Sequence, residues 1–141
     1  NPTIKLEETR NLTPVINIIN KTVLLVDDNK INLKVAEKLL DNYGIKTESV
    51  DSGFACIEKI QSGNKYDLIL LDDMMPKMSG VETLKKLKEI NGFNIKVVAL
   101  TANALTGMKE KYLSEGFDDY LAKPINKDEL NKVINKYLNN D

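Results

Sequence analysis

The sequence contains no histidine and no tryptophan, and Cys56 is its one cysteine in 141 residues. Without histidine the chain carries no phosphohistidine, no Ser-His-Asp triad and no imidazole metal ligand. A single thiol excludes an internal disulfide and a cysteine-based zinc site, and it fits a reducing compartment. An excess of either charge is also missing. Lys+Arg number 20 and Asp+Glu 21, a net charge of -1, which argues against a general nucleic-acid or polybasic membrane surface. No apolar run approaches the ~18 residues that span a bilayer. The N-terminus is polar, carries Glu7 and Glu8, and does not read as a signal peptide. Neither internal repeats nor low-complexity segments occur. The length fits one domain on a prior of ~100–200 residues. With 42% apolar and 29% charged residues the mixture is ordinary for a globular chain. The expectation is a soluble cytoplasmic domain whose chemistry rests on carboxylates, lysine and hydroxyls.

Residues 1–20 differ in character from the rest of the chain. Pro2 and Pro14 break any long helix, and Val15, Ile16, Ile18 and Ile19 form a small apolar cluster. From residue 22 the chain alternates between two patterns. Thr22–Val26, Leu68–Leu71 and Val97–Leu100 are short continuous apolar runs, as in strands buried on both faces. Lys46–Val50 and Tyr120–Ala122 read as weaker strands. Between them lie helical patterns. Residues 30–42 repeat Ile31, Val35, Leu39 and Leu40 as the expected inward positions, with Gly44 as a stop. Phe54, Ile57 and Ile60 mark a short helix capped by Asp51 or Ser52. Ser79–Glu82 and Asn126–Glu129 read as capping boxes, the first opening a helix with Leu84, Leu87 and Ile90 inward. The second opens a helix with Leu130, Val133, Ile134, Tyr137 and Leu138 inward, and residues 105–115 form a further helix closed by Gly116. Strand and helix alternate about five times. That order demands parallel strands with right-handed helical crossovers, hence an α/β architecture with a five-stranded sheet covered on both faces.

Sites in an open parallel sheet lie outside the carboxyl ends of the strands. Asp27-Asp28 follow the first run, Asp72-Asp73 the third strand, Thr101 the fourth and Lys123-Pro124 the fifth. All fall on one rim. Carboxylates that converge in a small cleft repel one another, so one takes up a proton or a divalent cation joins them. Hard oxygen ligands without His or Cys point to Mg²⁺ rather than zinc. A cation, the Lys123 ammonium and the Thr101 hydroxyl together suit the oxygens of a phosphoryl group in transfer. A carboxylate among them then serves as a nucleophile that forms an aspartyl phosphate. Each feature also has a plain structural reading: turn and helix cap for the acidic pairs, a backbone-bonded hydroxyl for Thr101, a solvated charge for Lys123.

The strings VLLVDDN, DLILLDDMMPKMSG, ALTAN and DYLAKPI, in this order and spacing, resemble the receiver domain of two-component response regulators. The resemblance covers roughly residues 21–139. It implies the CheY-like (flavodoxin-like) three-layer sandwich, doubly wound, with strand order 2-1-3-4-5. It implies Asp72 as phosphoacceptor, because Asp72-Asp73-Met74-Met75-Pro76 fits the D-x-x-M-P pattern, and makes Asp73 the following loop residue. Asp28 is then a direct Mg²⁺ ligand, Asp27 a ligand through water, and the Met74 backbone carbonyl a further ligand beside Asp72. Thr101 matches the switch hydroxyl that contacts the phosphoryl group, Lys123 the lysine that pairs with it, and Tyr120 the aromatic switch position. A cis peptide is expected at Lys123–Pro124. Met74 and Asn103, two residues beyond Asp72 and Thr101, occupy positions that tune the lifetime of the phosphorylated form. Met74 has no group to orient water, which implies slow loss of phosphate. Asn103 is polar and offsets this.

The implied activity is acceptance of a phosphoryl group from the phosphohistidine of a histidine kinase or histidine phosphotransfer domain. The chain assists its own phosphorylation and dephosphorylation and passes the signal on by a two-state shift. Residues 1–20 are then a linker or the remnant of an upstream region, and 21–141 the receiver domain. The stretch VDDNKINLKVAEKLL resembles receivers attached to hybrid sensor histidine kinases. A stand-alone response regulator and a fragment of a transcription factor are the alternatives. Other classes fit less well. An aspartate-nucleophile phosphatase needs a second acid two residues after its nucleophile, where Met74 stands. A flavin-binding protein needs a Ser/Thr/Gly-rich phosphate loop where Asp27-Asp28 would repel the phosphate. A phosphate-independent interaction module of the same fold would lack an active-site residue, and none is missing.

Overall fold

The structure, a computed structural model, describes residues 20–102 and 107–139. Its strands are β1 (Thr22–Val26), β2 (Lys46–Val50), β3 (Leu68–Asp72), β4 (Lys96–Thr101) and β5 (Asp119–Ala122). Its helices are α1 (Lys30–Asp41), α2 (Gly53–Gln61), α3 (Gly80–Lys88), α4 (Met108–Glu115) and α5 (Lys127–Leu138). The strands pair in the order β2-β1-β3-β4-β5, all parallel. The expected α/β three-layer sandwich with order 2-1-3-4-5 is therefore present.

The apolar runs become the inner strands because helices cover both of their faces. Residues of β1, β3 and β4 alternate between two cores, as the pleat requires. Val23, Leu25, Leu68, Leu70, Val98 and Leu100 pack beneath α1 and α5. Leu24, Val26, Ile69, Leu71, Val97 and Ala99 pack on the other side with Leu84, Leu87 and Tyr112. Each such side chain contributes about 1.5–3 kcal/mol on burial. The edge strand β2 (KTESV) alternates in exposure and carries exposed Lys46 and Glu48, which blunts strand-to-strand association at that edge.

The helix starts are set by side-chain caps. Asn29 accepts from Ile31 N and Asn32 N, Ser52 from Ala55 N, and Asn126 from Asp128 N and Glu129 N. Ser79 and Glu82 complete a reciprocal capping box. Caps of this kind contribute about 1 kcal/mol each. Of the two expected caps for α2, Ser52 is the one used.

Two inward faces differ from the sequence expectation. Ile31 and Val35 of α1 are 72% and 42% exposed. The buried stripe runs instead through Ala36 and Leu40, with Leu33 and Leu39 packed against the core. The small Ala36 lets the helix axis approach the sheet, and the resulting rotation turns Ile31 and Val35 outward. Phe54 of α2 is likewise exposed, while Gly53 and Cys56 are buried. Gly53 faces the Thr83 hydroxyl of α3 with no room for a Cβ. That close approach fixes the α2 face and leaves Phe54 outside.

Candidate functional site

Asp27 follows β1, Asp72 ends β3, and both continue the strand positions that face α1 and α5. Each is 1% exposed. Lys123, just beyond β5, reaches between them. Its Nζ donates to Asp72 Oδ1 at 2.9 Å and stands 3.6 Å from Asp27 Oδ2. Asp28 is exposed on the adjoining loop. Carboxylate oxygens of Asp27, Asp28 and Asp72 all lie within 4.8 Å of one another. The sequence-derived acidic residues are thus brought together in one cluster, and a small cavity lined by Asp27, Asn32, Val35, Leu100, Lys123, Pro124 and Ile125 adjoins it.

The backbone holds these groups in place. Asp27 Oδ1 accepts from Asn29 N at 2.9 Å, the first link into the α1 cap. Asp27 N donates to Val50 O, Asp73 N to Leu100 O, and Lys123 N to Thr101 O at 2.7 Å. Met74 N donates to Asp72 Oδ1 at 3.3 Å, while the Met74 side chain is exposed. The first residue of α3, Gly80, packs so closely that a Cβ there would collide with the Asp72 carbonyl oxygen. The Lys123–Pro124 peptide is cis, as expected.

Burial and neighbouring charge shift the ionisation of the site. Burial first, and the Asp27 charge as well, push the Asp72 carboxyl up to about 6 against the pull of Lys123. Burial pulls the Lys123 ammonium down, but Asp72 and Asp27 outweigh it and the net shift is upward. Asp72 Oδ2 and Asp27 Oδ2 are buried without a hydrogen-bond partner. Hard oxygens without hydrogen bonds on clustered carboxylates are the donor set that a small divalent cation requires, so the residues present fit Mg²⁺. The cleft can therefore hold a cation, present a carboxylate nucleophile and neutralise an incoming dianion.

Thr101 is fully buried at the end of β4. It lies on the other face of the sheet from Asp72, in line with Ala99 of the second core. Its hydroxyl is bonded to Tyr112 Oη at 2.7 Å, and Tyr112 Oη donates to Asp73 Oδ2 at 2.6 Å. Tyr120 is half-buried and stacks on Tyr112, ring centroids 5.8 Å apart. Asn103 lies outside the described residues. The contact that Tyr112 and Asp73 make beside the site is not legible in the sequence. Asp73 reads as a loop acid, and the sequence of α4 (MKEKYLSE) gives little sign that Tyr112 turns inward.

Residues 23–135 match the family described as response regulator receiver domain. A sensor histidine kinase, GacS of Pseudomonas protegens, is 39% identical over 119 residues; the match covers 82% of this chain and 13% of that protein. The chain thus spans a small part of such relatives. The receiver domain of sensor histidine kinase PA1611 from Pseudomonas aeruginosa, with a magnesium ion coordinated in its active-site cleft, superposes with a TM-score of 0.74. It is 33% identical over 85% of this chain and 98% of that one. The receiver domain of Ssk1, co-crystallised with the histidine phosphotransfer protein Ypd1 from Saccharomyces cerevisiae, gives a TM-score of 0.75. It is 29% identical, covering 86% and 90%. Among the described residues no helix is long and apolar enough to cross a membrane.

Proposed function

The chain belongs to the response regulator receiver domain family, and from that premise we propose that Asp72 is its phosphoacceptor, served by Lys123, Thr101 and a Mg²⁺ ion. The observation that carries this reading is the pair of buried carboxylates, Asp72 and Asp27, sharing one ammonium, with one oxygen of each left without a hydrogen bond.

Asp27, Asp28 and Asp72 would hold the cation, with the Met74 backbone carbonyl as a further ligand. When bound, Mg²⁺ neutralises charge on the phosphoryl oxygens. With a carboxyl that titrates at about 6, Asp72 is ionised at neutral pH. An Asp72 oxygen attacks phosphorus in line, the P–N bond to the donor imidazole breaks, and an acyl phosphate forms. Lys123 shifts its hydrogen bond toward the added oxygens. Thr101 donates to one of them, and Tyr120 follows inward as β4 adjusts. Water later attacks phosphorus and returns the free carboxylate.

The donor is the phosphohistidine of a histidine kinase or of a histidine phosphotransfer domain, a reading supported by the similar Ssk1 receiver co-crystallised with Ypd1. The relay is cytoplasmic. Residues 1–20 serve as a linker or are the remnant of an upstream region, and 21–141 form the receiver domain, in our reading that of a hybrid histidine kinase.

Intact mass after incubation with Mg²⁺ and acetyl phosphate tests the assignment. Wild type gains one phosphoryl group, about 80 Da, and Asp72→Asn gains none. An equal gain in both moves the acceptor elsewhere. The phosphorylated form is long-lived, because exposed Met74 beside Asp72 offers water no polar group. Met74→Asn therefore loses phosphate faster, by about tenfold if one oriented water contributes roughly 1.4 kcal/mol. An equal or slower loss rejects this role for Met74.

A further inference from the structure

Asn91 is followed by Gly92, and no other Asn-Gly pair occurs in the chain. The two residues lie between α3 and β4, and both are exposed. Phe93 N donates to Ile90 O at 3.0 Å, so Asn91 and Gly92 are the central pair of a tight turn. Gly92 has φ +84°, and a Cβ added there would meet nothing within 4 Å. Its N–H makes no hydrogen bond among the described residues. Rotating the Asn91–Gly92 peptide plane interconverts turn types that keep the Ile90–Phe93 bond, and glycine accepts either sign of φ. Among the described residues nothing holds that plane in place or shields it. Other asparagines differ. Asn29 and Asn126 use their side-chain oxygens in helix caps. Asn64 donates its side-chain amide to Lys59 O. The amide that follows Asn42 is tied to Leu40 O. Asn94 is exposed but precedes β-branched Ile95, whose Cβ crowds the approach to its own nitrogen.

We propose that Asn91 is a site of spontaneous covalent modification, in which the Gly92 nitrogen closes a five-membered succinimide ring on the Asn91 side chain. The nitrogen's electron pair bonds to Cγ, its proton passes to solvent, and the Cγ–Nδ2 bond breaks to release ammonia. Water then opens the ring, with nothing oxidised or reduced. Opening at Cγ leaves an aspartyl residue. Opening at the main-chain carbonyl carbon routes the backbone through Cγ, an isoaspartyl link one methylene longer. Either product adds one carboxylate to a chain of net charge -1. The turn precedes β4, whereas Thr101 ends that strand and Asp72 ends its neighbour β3. The modification therefore falls at the opposite pole of the sheet from the acidic cluster.

The test is incubation of the full, folded chain in mildly alkaline buffer, where the attacking nitrogen most readily loses its proton. Ion exchange and peptide mapping read the result. A more acidic species accumulates, about 1 Da heavier, with the gain confined at first to the peptide that holds Asn91. Asn91→Gln, which needs a six-membered ring, does not form it. The same incubation in urea gives a comparable rate, because the turn has no protection to lose. Conversion in urea but not in the folded chain shows that the turn shields Asn91, and overturns the proposal. Conversion in neither, earlier conversion of another asparagine, or an acidic species that persists in Asn91→Gln overturns it as well.

Discussion

Replacing Lys123 with methionine lowers the unfolding free energy of the metal-free chain near neutral pH by about 3 kcal/mol, the scale for removing one partner of a buried ion pair. The methionine keeps the apolar stem, so the loss reports the ammonium rather than packing. Asp72 and Asp27 are each 1% exposed and both look to this one cation, at 2.9 and 3.6 Å. Without it two buried carboxylates face each other, and the folded state relieves the repulsion by taking up a proton. A folded state that binds protons more tightly than the unfolded one gains stability as pH falls. The deficit of Lys123→Met therefore shrinks toward about pH 5. Urea titrations at the two pH values measure it. A loss within about 0.5 kcal/mol near neutral pH, the range of an ordinary surface change, would show that solvent, not Lys123, neutralises the pair.

Asp72→Asn acts in the opposite direction. In the metal-free wild type the Asp72 carboxyl titrates at about 6 in the fold, against an ordinary value of 3.8, with burial as the main cause. Between those values the folded state binds more protons than the unfolded one. Stability thus falls as pH rises through this window and levels off above it. At 1.36 kcal/mol per pKa unit the ionised carboxylate costs roughly 3 kcal/mol at neutral pH. Asp72→Asn removes that cost, while Lys123 keeps Asp27 as a partner. The variant gains about 2 kcal/mol near neutral pH, less than the full roughly 3 because its bond to Lys123 becomes neutral on one side. Its stability is nearly flat over the window where wild type declines. Saturating Mg²⁺ closes the gap by binding the folded wild type more tightly than Asp72→Asn. Equal or lower stability of Asp72→Asn without metal would mean that the Lys123 bond outweighs desolvation.

Much of this arrangement is readable in the chain because two strong regularities coincide. Strands buried on both faces must be continuous apolar runs, so β1, β3 and β4 stand out, and the rim chemistry comes directly from the residues after them. Asp27, Asp28, Asp72 and Lys123 meet where that rule puts them. The α1 face is less readable. Ile31 and Val35 share helical spacing as well as Leu33, Ala36 and Leu40 do. The choice between the stripes depends on how near the helix approaches the sheet, a property of packing rather than of periodicity. The Tyr112–Asp73 contact joins residues far apart in sequence, and neither sits in a pattern that announces a partner. Such a pairing becomes visible only when α4 is laid on the sheet.

Asp72 and Asp73 are consecutive, yet the pleat of β3 sends one to the cleft beside Lys123 and the other to Tyr112. One peptide plane therefore separates an acidic cluster from a tyrosine buried in the second core. A substitution at Asp73 reaches that core and leaves the Asp72–Lys123 bond in place, although the two acids are neighbours in the chain.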